Sequence, residues 1–241
     1  YAPTSTRFVG RGTPPAIISV HGGPTSQADC GFDGRNQFFA TRGYAVLDIN
    51  YRGSTGFGRR YAELLSEKWG VFDVEDCIDG GQYLVDAGLA NAEQLVIMGG
   101  SAGGYTTLRA LTERPGFFRA GVCSYGICNL FALAADTHKF EARYLDSLIG
   151  PLPESSPRYR ERSPIFSIEK VREPLILFQG DEDLVVPQDQ AEEVVASLAR
   201  RDVPHEYHLF EGEGHGWKKP QTIERYYRAI ELFLKRHVIF N

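Results

Sequence analysis

The sequence is poor in several features that mark particular classes of protein. It has only 4 cysteines in 241 residues and no C-x-x-C pair, so we expect free thiols in a reducing compartment rather than a disulfide framework. The spacing leaves a bridge between Cys123 and Cys128 open. No segment approaches the roughly 18–20 consecutive apolar residues of a membrane-spanning helix, and the N-terminal stretch lacks the apolar core of a signal peptide.

Positive charge is also scarce, and this bears on possible partners. Lys and Arg number 26 against 31 Asp and Glu, which gives a net charge of −5 and a pI near 5.7. A broad basic surface for nucleic acid is therefore excluded. Hydrophobic residues make up 42% of the chain, enough for one large core, and no repeat, low-complexity tract or linker divides it.

Short apolar runs alternate with amphipathic stretches along the chain. We predict strands at Ala16–Val20, Tyr44–Ile49, Gln94–Met98, Ala120–Cys123, Leu175–Phe178 and Glu206–Phe210. Helical spacing of apolar residues predicts helices within Val74–Val85, Ala191–Leu198 and Ile223–Leu234. Because several strands are almost wholly apolar, we expect a doubly wound, mostly parallel α/β sheet with helices on both faces. A proline-rich, aromatic stretch, Ile127–Pro164, is expected to cap the carboxyl end of that sheet.

A serine flanked by glycines stands at the end of one predicted strand. The letters GGSAG, residues 99–103, fit the pattern G-x-S-x-G between the strand Gln94–Met98 and a helix-like run, Tyr105–Leu111. A nucleophilic hydroxyl must be presented on a tight turn, and glycines around Ser101 remove the Cβ clashes that such a turn creates. A helix that starts at the serine also directs its free N–H groups toward the reaction centre.

A nucleophilic serine needs a base, and His215 is the strongest candidate among six histidines. It lies between two glycines in a loop that follows the last predicted strand. His205 and His208 lie three apart on a strand and form a poor metal pair, since they face opposite sides. His138 lies in the capping stretch, where we expect a surface role rather than a substrate contact, and His237 is expected to be a solvated cation near a helix end.

The base in turn needs a carboxylate that orients it. Three acidic residues, Asp181, Glu182 and Asp183, occupy the loop after the strand Leu175–Phe178. An acid that precedes the histidine, with both in loops after strands, is the order found in α/β-hydrolases. Spacing alone does not rank the three acids.

Several longer motifs extend this pattern over nearly the whole chain. They are HGGP (21–24), NYRGSTGFG (50–58), WGVFDVED (69–76), GGSAGGYTT (99–107), GDEDLVVP (180–187) and GEGHGW (212–217). In these motifs and their order the chain resembles the catalytic domain of the prolyl oligopeptidase family of serine peptidases, in particular its acylaminoacyl-peptidase and dipeptidyl-peptidase branches. The resemblance implies a single α/β-hydrolase catalytic domain over residues 1–241.

The resemblance also implies roles for individual residues. Ser101 is expected to be the nucleophile, Asp183 the acid and His215 the base. The backbone N–H groups of Ala102 and Gly23 are expected to form an oxyanion hole, with His21 fixing the loop that carries Gly23. No metal or organic cofactor is implied.

One departure from the family pattern concerns the N-terminal side. Family members usually carry a β-propeller that restricts access to the active site, and some 15 residues precede the first predicted strand here, where the fold normally places a further hairpin. We therefore expect that the propeller and the hairpin are missing from this chain. An unpaired sheet edge would favour a homo-oligomer.

The leading functional hypothesis is a serine peptidase that cleaves peptide bonds near the N-terminus of short peptides through an acyl-enzyme. A carboxylesterase with the same triad is the alternative, and a non-catalytic binding module on the same fold is a remote one. Small peptides or esters are the expected partners, without nucleic acid or membrane, and the expected location is cytoplasmic. Tyr105, Tyr125 and Phe131 are candidate substrate-binding residues near the pocket.

Overall fold

Six strands form one wholly parallel sheet in the part of the chain that the structure describes. The structure is a computed structural model and describes residues 1–3, 12–136 and 144–240, with only the backbone of Asp136. The strands are β1 (Ala16–Val20), β2 (Ala45–Ile49), β3 (Leu95–Gly100), β4 (Ala120–Ser124), β5 (Leu175–Gly180) and β6 (His205–Phe210). Their order across the sheet is β2-β1-β3-β4-β5-β6, and every neighbouring pair is parallel.

Helices connect the strands and cover both faces. They are α1 (Gly34–Ala40), α2 (Arg59–Ala62), α3 (Phe72–Asp86), α4 (Ala102–Glu113), α5 (Leu130–Asp136), α6 (Tyr144–Leu148), α7 (Ser156–Arg162), α8 (Gln188–Arg200) and α9 (Pro220–Leu234). Short 3₁₀ segments lie at Glu63–Leu65, Ala92–Gln94 and Pro164–Lys170, and a π-helical turn follows α9 at Lys235–Ile239. None of the described helices is long and apolar enough to cross a membrane.

The apolar strands are buried on both sides because successive side chains point to opposite faces. Ile18 and Ile97 belong to one apolar cluster, and their neighbours Ile17 and Val96 belong to the other. The first cluster packs against α3, α4 and α8, and the second against α1 and α9. The predicted doubly wound sheet with helices on both faces is confirmed, and it is parallel throughout the described residues.

The predicted elements exist, but several extend further than the sequence pattern indicated. The strand predicted to end at Met98 continues to Gly100, since Gly99 pairs with Val20 on one side and Cys123 on the other. Likewise α4 begins at Ala102, three residues before the predicted helical run. Glycine therefore marks a close approach of backbones here rather than the end of a strand or the start of a loop.

The stretch predicted to cap the carboxyl end of the sheet borders it through α5 and α6, since Leu133, Tyr144 and Leu145 line a cavity beside Ser101. The candidate His138 lies outside the described residues. At the outer edge of β2, the amino group of Tyr1 donates to the carbonyl of Val46 (2.8 Å), and the N–H of Val46 donates to the carbonyl of Tyr1 (2.9 Å). Part of the edge predicted to be unpaired is thus occupied by the chain's own first residue.

The four cysteines are all free, which answers the question of a bridge. Cys123 contacts the carbonyl of Gly104, whereas the thiol of Cys128 lies 3.1 Å from the carbonyl of Gln190. Cys30 is exposed and the other three are buried.

Candidate active site

Ser101 occupies the sharp turn between β3 and α4. Its backbone has φ 56° and ψ −124°, a conformation that is rare for any residue with a Cβ. The turn lies tightly against β1, because a Cβ on Gly103 would collide with the carbonyl of Val20. The N–H of Ser101 donates to the carbonyl of Ser124 (3.0 Å). These contacts hold the hydroxyl at the carboxyl edge of the sheet, at the N-terminus of α4.

His215 reaches Ser101 from the loop after β6. Its Nε2 lies 2.9 Å from the Oγ of Ser101, and its ring packs on Tyr125 with centroids 4.6 Å apart. The loop is tied down by the buried carboxylate of Glu213, which accepts hydrogen bonds from the N–H groups of Lys218 (2.9 Å) and Lys219 (3.0 Å). These bonds lower the pKa of Glu213 although burial alone would raise it. The base therefore lies on a loop with few degrees of freedom.

Asp183 is the acid that contacts His215. Its Oδ2 lies 2.8 Å from Nδ1 of the imidazole, and its Oδ1 accepts hydrogen bonds from the N–H groups of Val185 (2.8 Å) and Val186 (2.9 Å). Burial alone would raise the pKa of Asp183, but the bonds from His215, Val186 and Val185 outweigh it and lower the pKa. The carboxylate is thus charged at neutral pH, the state that orients a histidine and stabilises its protonated form.

The two neighbouring acids have other surroundings. The carboxylate of Asp181 accepts a hydrogen bond from the N–H of Gly212 (2.6 Å), which ties the acid loop to the histidine loop. Glu182 is exposed. Of the three acids that spacing left open, the structure brings Asp183 to the imidazole.

The backbone of the loop after β1 passes beside Ser101. A Cβ on Gly22 would lie 3.4 Å from the Cβ of Ser101, and Gly23 has a φ of 122°. His21 fixes this loop, since its Nδ1 lies 2.7 Å from the carbonyl of Gly22 and its Nε2 lies 2.8 Å from the hydroxyl of Ser54. Burial lowers the pKa of His21, with the Gly22 bond and Asp48 acting in the opposite direction, so the ring is neutral at pH 7. The loop geometry agrees with the structural role expected for His21.

Among the residues that the structure describes, two cavities border Ser101 and share Gly23. The smaller, of about 120 Å³, is lined mainly by apolar side chains, among them Trp69, Leu145 and Val186. The larger, of about 590 Å³, is mainly polar and includes His21 and His215 in its lining. Ala102 lies in the wall of the smaller cavity. Its N–H is one of the first four of α4, which have no partner within the helix.

The three candidate substrate-binding residues differ in their position relative to the two cavities. Tyr125 lines the larger cavity. Tyr105 does not reach either cavity, and its assignment as a substrate contact is wrong: it lies one helical turn beyond Ser101, is fully buried, and donates its hydroxyl to the carbonyl of Arg162 (3.0 Å). Phe131 packs on Tyr159 and Phe166 and is not among the lining of these two cavities, so its role in substrate binding stays a prediction.

Sequence reasoning missed the role of Asp73. Asp73 lies in the first turn of α3, where an acid favours a helix N-terminus. The side chain is fully buried, however, with Oδ1 accepting from the N–H of Gly70 (2.6 Å) and Oδ2 2.6 Å from the hydroxyl of Thr106. The same hydroxyl lies 3.1 Å from the carbonyl of Ala102, the residue after the nucleophile. The sequence signal for Asp73 was its place in the motif WGVFDVED.

Within the described residues, no group of three or more His, Cys, Asp or Glu side chains is placed to hold a metal ion. That no cofactor is required stays a prediction.

Comparison with known proteins agrees with this geometry. The sequence pattern of the prolyl oligopeptidase family matches residues 30–239. The dipeptidyl aminopeptidase BIII of Pseudoxanthomonas mexicana is 36% identical over 225 residues, covering 91% of this chain and 33% of that protein. The acylamino-acid-releasing enzyme of Arabidopsis thaliana is 31% identical over 237 residues, covering 94% of this chain and 30% of that protein.

Solved structures share the fold over almost the whole chain. A puromycin-hydrolyzing peptidase of Mycobacterium tuberculosis superposes with a TM-score of 0.96 at 43% identity, covering 100% of this chain and 37% of that one. The acylaminoacyl peptidase of Pyrococcus horikoshii superposes with a TM-score of 0.88 at 28% identity, covering 96% and 38%. The chain spans about a third of the length of these relatives. With its parallel sheet, its serine turn and this match over residues 30–239, the chain belongs to the prolyl oligopeptidase family and has the α/β-hydrolase fold.

Proposed function

We propose that this chain is the catalytic domain of a serine peptidase that releases short acyl or aminoacyl groups from the N-termini of peptides. The observation that carries the proposal is the hydrogen-bonded series from Asp183 through His215 to Ser101, with distances of 2.8 and 2.9 Å. Nothing else in the described chain explains why a serine with a strained backbone lies against an imidazole that a buried carboxylate orients.

The proposed reaction begins with proton transfer. Nε2 of His215 accepts the proton of Ser101 as Oγ attacks the carbonyl carbon of the substrate, and Asp183 stabilises the imidazolium. The N–H groups of Gly23 and Ala102 bind the oxyanion, and each such donor contributes roughly 3 kcal/mol to the stabilisation of the transition state. His215 then gives its proton to the leaving nitrogen as the C–N bond breaks. In the second half of the reaction, His215 accepts a proton from water as the water oxygen attacks the acyl carbon, and returns it to Oγ of Ser101 as the ester C–O bond breaks.

The substrate class is proposed from relatives and from the site together. The relatives are named for dipeptidyl, acylaminoacyl and puromycin substrates, all with an amide bond close to an amino-terminal or acylated end. An apolar cavity of about 120 Å³ beside Ser101 has room for one side chain of the acyl group. Puromycin is therefore included among the candidate substrates. A cytoplasmic location belongs to the same proposal, and the four free thiols support it.

The experiment is a substrate panel with two serine variants. The purified protein is assayed on dipeptidyl and acyl-aminoacyl p-nitroanilides, on puromycin, and on a p-nitrophenyl ester that has the same acyl group as one anilide. Ser101→Ala should reduce kcat/KM by roughly 10⁴-fold or more on every substrate that is cleaved. Ser66→Ala, which changes an exposed serine, should leave it unchanged.

The outcomes separate the three functional hypotheses. Substantial amide turnover that is lost in Ser101→Ala supports the peptidase. Ester turnover without measurable amide turnover would support a carboxylesterase instead. A folded protein that cleaves no substrate and does not react with a fluorophosphonate would favour a binding module.

A further inference from the structure

The two cavities at Ser101 differ in whether they contain the proposed general acid. His215 lines the larger cavity, together with Ser101, and is not in the wall of the smaller one. The leaving nitrogen must lie within hydrogen-bond reach of the imidazole that protonates it. A leaving group in the larger cavity would meet this requirement, and the smaller, apolar cavity would then hold the acyl side chain.

The larger cavity carries an excess of negative charge. Its wall contains three carboxylates, Asp29, Asp33 and Asp48, and one guanidinium, Arg35, among the residues that the structure describes. The histidines aside, the formal charge of this wall is thus −2. The guanidinium is already engaged, since it donates to the hydroxyl of Ser19 (3.2 Å) and lies 3.7 Å from Asp48 and 3.9 Å from Asp33. It is poorly placed to bind a carboxylate of the substrate.

The three carboxylates differ in the partners that they already have. Asp48 is engaged, since its Oδ2 accepts the amide N–H of Asn36 and its buried Oδ1 lies 3.7 Å from the guanidinium of Arg35. Asp29 is exposed, and its one described hydrogen bond is a 3.1 Å contact from Gln27. Asp33 differs, because its Oδ1 caps α1 by accepting the N–H groups of Arg35 and Asn36.

We propose that this cavity binds the leaving group and selects one that carries positive charge, such as a lysine or arginine residue immediately after the scissile bond. The inference rests on the proposed function, since it requires that His215 protonates the departing amine. Leaving groups with a carboxylate side chain are disfavoured by the same charges. The selectivity is electrostatic, so it weakens as salt screens the partly exposed carboxylates.

The test uses three peptides that differ in one side chain. Their common part is the acyl group that the enzyme cleaves best in the anilide panel, followed by lysine, norleucine or glutamate, each with an amidated C-terminus. Amidation removes the terminal carboxylate, and norleucine matches the lysine stem without its charge. At low salt, kcat/KM should be about tenfold higher for lysine than for norleucine and lower again for glutamate, and 1 M NaCl should reduce these ratios toward one.

Charge-removing variants locate the effect. Asp48→Asn and Asp29→Asn should each reduce the lysine-to-norleucine ratio, and the exposed Asp29 provides a variant that does not disturb the interior. Asp79→Asn removes the same charge from an exposed position on α3 outside the cavity, and should leave the ratio unchanged. This control separates the cavity from the overall charge of −5.

Equal kcat/KM for lysine and norleucine at low salt, with good turnover of both, would overturn this inference and leave the proposed function intact. An equal loss of the ratio in Asp79→Asn would also overturn it. Failure to cleave any anilide or peptide would overturn the proposed function and this inference with it.

Discussion

At the scale of the residue, the contacts of Asp183 explain why one of three adjacent acids suits the role of orienting His215. One carboxylate oxygen meets the imidazole and the other accepts two backbone N–H groups, so both oxygens have charge-stabilising partners. Asp181 and Glu182 are exposed and point to different surroundings. The difference arises from the local turn after β5, which directs a single side chain inward.

We expect Asp183→Asn to lower kcat by roughly 10³–10⁴-fold with little change in KM. An amide N–H at this position would donate to Nδ1 of His215. The imidazole proton then lies on Nε2, so Nε2 cannot accept the proton of Ser101. Steady-state kinetics on the best anilide would measure the loss, with thermal unfolding to show that the variant is folded. Glu182→Gln is the matched control, and a comparable loss of kcat in that variant would contradict the assignment.

Tyr105 shows at the same scale how a residue close in sequence to the nucleophile can be remote from the substrate. Its N–H donates to the carbonyl of Ser101, so it lies one helical turn below the catalytic edge. Its ring packs on Trp69 beneath the site. Proximity along the chain predicted a contact that the direction of the helix excludes.

At the scale of the element, the start of α3 is joined to the first turn of α4 through a buried acid. The carboxylate of Asp73 contacts the hydroxyl of Thr106, which in turn lies close to the carbonyl of Ala102. These contacts fix the first turn of α4, which carries the proposed oxyanion donor. Burial raises the pKa of Asp73 to about 6, against the hydrogen bonds from Thr106 and Gly70, which lower it. The connection between the two helices therefore includes a carboxyl group whose charge changes near neutral pH.

This connection predicts a pH-dependent stability. The folded-state pKa of Asp73 lies above its ordinary value of 3.8, so its contribution to the free energy of unfolding is fully present below pH 3.8 and is lost as pH rises through about 6. The loss amounts to roughly 3 kcal/mol, since one pKa unit corresponds to about 1.4 kcal/mol. We expect the stability of the wild type relative to Asp73→Asn to fall by this order between pH 4 and pH 7, as measured by urea unfolding.

Asp79→Asn on the same helix serves as the control for this prediction, because its side chain is exposed. Its stability difference from the wild type should vary little over the same pH range. Parallel stability curves for the wild type and Asp73→Asn would show that the buried carboxyl does not titrate differently in the folded and unfolded chains.

At the scale of the whole molecule, the reactivity of the cysteines indicates whether the core on the two faces of the sheet is closed to solvent. Three of the four thiols are buried, and burial raises the pKa of Cys123 to about 12 and those of Cys77 and Cys128 as well. A neutral, buried thiol reacts slowly with disulfide reagents. Cys30 alone is exposed.

We therefore expect one thiol per chain to react rapidly with Ellman's reagent in the native protein, and four in guanidinium chloride. A count of two in denaturant without reductant would reveal a bridge such as Cys123–Cys128 and contradict the free thiols of the structure. Rapid reaction of more than one thiol in the native protein would show that the core opens readily.

The outer edge of the sheet, at β2, bears on the assembly of the whole molecule. Tyr1 pairs with Val46 there, so the edge has a partner at one point of its length. Formation of a homo-oligomer through this edge stays a prediction, which analytical ultracentrifugation can examine.

The sequence by itself determined the alternation of strands and helices, the turn that carries Ser101 and the family to which the chain belongs. These features are encoded in local spacing: apolar runs of strand length, glycines around one serine, and motifs that keep their order. The family resemblance, though not the spacing, already pointed to Asp183, and the structure shows its contact with His215. The tertiary structure decided that Tyr105 is buried and that Asp73 supports α4. It also decided that carboxylates from β2 and from the loop after β1 share one cavity with the proposed base. Such relations depend on the side chains that neighbouring parallel strands and their loops bring together at one edge of the sheet. These residues are tens of positions apart, and their spacing along the chain does not predict which of them meet.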